Sequence, residues 1–144
     1  MIEKLINEIA KIEAKYDEIL PAPATLEELE ILKNWATDLF GNDVPIEVYS
    51  QFLNNVNSLQ HNGIFLYGVN TQNANLDIIE NNKIWHDMSE HKKYLFFGDD
   101  DISWYVWDSV VNEFQLLDKP SGEIMETFES CNSMIIEALE KVLD

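Results

Sequence analysis

The chain has 144 residues, 46% of them hydrophobic and 11% aromatic, and its 27 acidic side chains outweigh nine lysines for a formal net charge of -18 at pH 7. That length suits one domain around one core, and that apolar content excludes a disordered acidic tail. There is no arginine, and the acidic balance argues against direct nucleic-acid binding, because phosphate contacts depend on cationic side chains that displace counterions.

Ile2, Leu5, Ile6, Ile9, Ile12, Tyr16 and Ile19 recur at spacings of three and four, the stripe of an amphipathic first helix that Pro21 and Pro23 stop. Thr25 and Glu28 have capping-box spacing. They open a second helix through Leu26, Leu29, Leu32, Ala36, Leu39 and Phe40, closed by Gly41, and the two helices are expected to form a hairpin. Pro45 suits the first turn of a third helix with Val48, Tyr49, Phe52, Leu53 and Val56 on its apolar face. Residues 57–63 read as a turn, Ile64 to Tyr67 as a buried strand closed by Gly68, Asn70 to Asn75 as a polar loop, and Leu76 to Asn82 as a short helix leading to Trp85.

The most informative stretch follows: Tyr94 to Gly98 and Ile102 to Asp108 are two apolar runs around a turn of three aspartates. Along the second run Tyr105 and Trp107 point to one face and Trp104 and Val106 to the other. Neither face is polar, so this strand should be covered on both sides. Glu113 to Asp118 is a further strand, residues 119–122 a turn, and Glu123 to Met125 a possible edge. Phe128, Cys131, Ile135, Ala138, Leu139 and Val142 form one face of a last helix that packs back on the sheet. Helices, then strands, then a helix predict a single α+β domain with one antiparallel or mixed sheet.

A single cysteine cannot form an internal disulfide, and the chain does not start with a basic segment ahead of an apolar stretch, so a reducing cytoplasm is the expected compartment. No apolar run approaches the roughly 20 residues of a membrane span. Cys131 falls on the apolar stripe, where a thiol behaves as a small hydrophobe. His61, His86 and His91 lack zinc-ligand spacing and are expected at the surface, and the Asp99-Asp100-Asp101 run lacks the glycine and distal glutamate of a calcium loop. No glycine-rich phosphate cradle is present, so no cofactor is expected. With so many acids, no catalytic carboxylate pair can be chosen by spacing, and no nucleophile, base and orienting group assemble into an enzyme reading.

Several segments, by their order and spacing, together resemble the SUKH superfamily, the Smi1/Knr4 group, in particular its bacterial YrhA-like branch. They are Val44-Pro45 leading into Tyr49 and Phe52-Leu53, Asn62-Gly63 before Leu66-Tyr67-Gly68, Leu95-Phe96-Phe97-Gly98 before Trp104-Tyr105-Val106-Trp107-Asp108, and Phe128 with the apolar positions after it. Two positions depart from the family pattern. Ser58 follows Asn57 where a glycine is expected, and Asp100-Asp101 occupy a hairpin where small residues are frequent. The resemblance implies an α+β fold without enzymatic activity. For many bacterial members it implies service as an immunity protein that binds and neutralises a toxin, often a nuclease; for the eukaryotic namesakes it implies a regulatory scaffold on an endogenous protein.

The expected partner is therefore a protein, a basic toxin domain above all. Asp99, Asp100, Asp101, Trp85, Asp87 and Glu90 are the candidate contacts: the acids would steer a basic surface, and the Trp85 ring would anchor it. The competing reading of the aspartates is solvated charge that keeps a sticky hairpin from pairing with other chains. Oligomeric state is not legible.

Overall fold

The computed structural model describes residues 1–144. Five helices, α1 (Ile2–Ala14), α2 (Leu26–Phe40), α3 (Glu47–Leu53), α4 (Ile78–Trp85) and α5 (Cys131–Leu143), accompany six strands. The strands are β1 (Leu59–His61), β2 (Ile64–Leu66), β3 (Tyr94–Asp99), β4 (Ser103–Asp108), β5 (Glu113–Asp118) and β6 (Ile124–Phe128). They pair in sequence order, each antiparallel to the next, as one meander. The α+β class stands, and the sheet is antiparallel throughout.

The capping box that opens α2 forms as the sequence indicates: the Glu28 N–H donates to Thr25 Oγ1 at 3.1 Å and the Thr25 N–H to Glu28 Oε1 at 2.9 Å. That satisfies two backbone donors that a helix start otherwise leaves free. The first helix is shorter than expected. It ends at Ala14, Asp17 takes a φ of 59°, and Tyr16 and Ile19 stand in solvent. Nor do α1 and α2 form a hairpin, because α1 spends its apolar stripe on α5.

Three boundaries also move. Residues Leu59–His61, expected in a turn, form β1 against β2. The helix near residue 80 runs from Ile78 to Trp85, with Asp77 capping it through the Glu80 N–H. Phe128 ends β6, and Ser130 caps the helix that begins at Cys131.

β4 is buried along its whole length, as its two apolar faces require. On one face Phe96 and Trp104 pack with Trp85 and His91. On the other, Tyr49 lies against Phe97, Phe97 against Phe114, and Tyr105 against Phe128. The buried Tyr49 hydroxyl satisfies itself by donating to the carbonyls of Tyr67 and Phe97, the second at 3.0 Å, which locks α3 to the sheet.

Candidate functional site

The β3–β4 hairpin carries the three aspartates to one end of the sheet, and each has a different job. Asp99 is the last residue of β3, not a turn residue, and its carboxylate is half-buried. The Tyr67 hydroxyl donates to its Oδ2, and Lys119 Nζ lies 3.7 Å from its Oδ1. Burial holds the Asp99 carboxyl above the usual carboxylate range, with Tyr67 and Lys119 pulling the other way. Burial, reinforced by the Asp99 charge, also pushes the Tyr67 phenol far up, so Tyr67 stays a neutral donor.

Asp100 is spent on its own turn. Its Oδ1 accepts from the Ile102 N–H at 2.9 Å and from Ser103 Oγ at 2.6 Å, and its N–H donates to the Ser103 carbonyl at 3.0 Å. Asp101 is left exposed at the tip. The result is a fixed acidic apex whose outermost carboxylate is free.

Trp85 reaches this apex from α4. Its Nε1 donates to the Tyr67 oxygen at 3.4 Å, and Lys119 Nζ sits 5.3 Å from its ring centre and 5.8 Å from that of Trp104. Lys119 also donates to the Asp100 carbonyl at 3.1 Å. One lysine thus meets the Asp99 carboxylate by charge, the Asp100 carbonyl by a hydrogen bond and two indoles by cation–π contact. Trp85, Asp99, Asp100 and Asp101 come together as one site. Asp87 and Glu90 do not join it: both are exposed on the segment after α4, and no hydrogen bond or ion pair ties them to the hairpin.

Tyr67, Trp104 and Lys119 belong to the site and were not among the sequence candidates. Strand register is the signal that finds them. Asp99 lies opposite Trp104 and Trp104 opposite Leu117, and the Lys119 N–H donates to the Ile102 carbonyl at 2.9 Å. Once the two hairpins are aligned, Lys119 falls beside the aspartate turn.

The histidines are not surface residues. His91 is buried beside Trp104, His61 Nδ1 lies 2.5 Å from Glu13 Oε1, and half-buried His86 donates from Nε2 to the Tyr94 carbonyl at 2.6 Å. Cys131 is buried, and burial pushes its thiol up to about 12. No three His, Cys, Asp or Glu side chains converge as a metal site, and no helix is long and apolar enough to cross a membrane. In comparisons with known proteins, the chain matches no family model and no curated protein.

Proposed function

We propose that the chain is a protein-binding module of the SUKH kind, an immunity protein that covers the basic active face of a toxin, often a nuclease. The observation that carries this reading is the apex itself. Asp99 and Asp100 are fixed by internal partners while Asp101 stands free beside them, in a chain of net charge -18. A pre-organised acidic projection costs little ordering on binding, and the surrounding field raises the encounter rate with a basic surface. Trp85, half-buried next to the apex, supplies apolar contact at its base.

The test begins with the protein encoded beside this gene. Coexpression should yield a complex, and Asp101→Lys should slow its formation roughly tenfold or more without changing the fold, since Asp101 holds nothing in place. Tight association unaffected by that reversal would remove the steering role. A solitary gene whose product retains housekeeping proteins in pull-downs would favour the regulatory-scaffold reading.

A further inference from the structure

The two edges of the sheet are treated differently. β1, three residues long, is covered: His61 is tied to Glu13 of α1, and Asn62 Nδ2 donates to the Val142 carbonyl of α5 at 2.9 Å. β6 is not. Four of its five residues are exposed, including Ile124 and Met125, and no backbone hydrogen bond reaches Ile124–Phe128 from any element other than β5. The outward groups can be placed. Asp118 donates to the Glu123 carbonyl and Lys119 to that of Ile102, so alternate residues of β5 face β6 and β4. By that alternation Leu116 and Phe114 face β6, and Thr127, opposite Gln115, turns its N–H and C=O outward.

An open edge is a template for another strand. Its chemistry here is one-signed. Glu123, Glu126 and Glu129 are exposed along it with no lysine among them, and Glu137 of α5 stands behind Glu126. Burial first, then a hydrogen bond with the Glu126 side chain and the Glu126 charge, hold the Glu137 carboxyl above its usual range, and Lys141 at 3.8 Å is its one cationic neighbour. Like charges facing each other oppose pairing with a second copy of this chain, and they favour a cationic strand. Just past Phe128 lies a cavity of about 300 Å³ lined by Pro45, Val48, Phe114 and Cys131, with Glu47 and Glu129 exposed beside it. Apolar walls and acidic rim match the stem and head of a lysine.

We infer that β6 is a docking edge for a basic extended segment of a partner protein, which adds to the sheet as a seventh strand and sets a lysine into the cavity beyond Phe128. Glu126–Phe128 pair regularly with β5 and the ladder shifts register at Met125, so the regular edge is roughly 10 Å at about 3.4 Å per residue, and a segment of about five to seven residues spans it together with the cavity. This edge stands independently of the aspartate apex, and its test uses neither the apex nor the neighbouring gene product.

The probe is a capped seven-residue peptide of alternating lysine and valine, titrated into the whole protein and followed by NMR. Amide shifts and slowed exchange should concentrate at Ile124–Phe128, and a glutamate-for-lysine peptide should not bind. The lysine peptide N-methylated at alternate residues keeps its charge but loses edge hydrogen bonds, and should bind at least tenfold more weakly. Thr127→Pro, which removes the outward N–H, should weaken the unmodified peptide similarly. Equal binding of the methylated peptide, or shifts centred elsewhere, would overturn the proposal. So would a dimer of the free protein whose interface protects β6.

Discussion

Asn82 pairs with Phe96 as a neighbouring strand would. The Phe96 N–H donates to Asn82 Oδ1 at 2.8 Å, and Asn82 Nδ2 donates to the Phe96 carbonyl at 2.9 Å and to that of Ile78 at 2.7 Å. β2 pairs with β3 at Gly98 and Asp99 and the Tyr67 N–H donates to the Phe97 carbonyl at 2.9 Å, so the edge from Phe96 back to Tyr94 needs another partner. α4 provides it, with Asn82 at Phe96 and His86 at Tyr94. Such substitution is required because buried backbone groups left unpaired are costly.

Asn82→Ala should therefore destabilise the fold by about 3 kcal/mol, since it strands both polar groups of Phe96 away from water. Asn82→Asp should also destabilise it, because the carboxylate cannot donate to the Phe96 carbonyl. Urea unfolding at constant m-value measures both. A loss below about 1 kcal/mol for Asn82→Ala would mean that the edge is satisfied otherwise.

Gly98 sits at the register shift of β3 against β4, where β2 approaches closely. A Cβ there would lie 2.3 Å from the Phe65 carbonyl oxygen and 2.9 Å from Leu66 Cδ2. Gly98→Ala should cost at least about 2 kcal/mol, because backbone and not a flexible side chain must yield. Thermal unfolding indistinguishable from the parent would contradict this packing.

Ser58 takes a φ of 89°, a conformation that glycine adopts without strain. Ser58→Gly should stabilise the protein by about 0.5–1 kcal/mol, the relieved strain exceeding the added freedom of the unfolded chain. Ser58→Ala should give no such gain. Paired denaturation curves decide it, and a destabilised glycine variant would show that the serine side chain matters more than its backbone.

His86 titrates below its ordinary value because burial disfavours its charged form, against the opposing pull of the Tyr94 carbonyl. Its contribution to stability is fully present above the unfolded value of about 6.5 and is lost as pH falls from there through the folded value. The raised carboxyls of Asp99 and Glu137 act with opposite sign. An NMR titration should place His86 below 6.5, and His86→Gln should flatten the stability profile between pH 7 and its folded value. A His86 midpoint above 6.5 would reverse the sign.

The central hairpin was legible because the continuous apolar run Trp104 to Trp107 puts apolar side chains on both faces of a strand, which leaves one solution for β4, a strand covered on both sides. The capping box at Thr25 and Glu28 was legible because its chemistry is local. The ends of α1 and the hairpin of α1 with α2 were misread for one reason: the stripe Ile2 to Ile19 fixes a helical period but not which element covers it. β1 hid among turn formers, its register set by β2 and not by its own residues. In the site, the aspartates and Trp85 announced themselves by type. Tyr67 and Lys119 did not, since their roles arise only from strand register, and Asp87 and Glu90 were grouped with Trp85 by sequence proximity that the fold does not preserve.

The proposed role of the acidic apex as a steering surface is tested most directly by the association rate with whatever protein the neighbouring gene encodes, measured by stopped flow between 50 mM and 500 mM salt. The expected result is a rate that falls tenfold or more across that range for the parent, and a lower, flatter curve for Asp101→Lys, because screening removes what the reversal removes. A rate independent of salt and of Asp101, or no association at any salt, would contradict it.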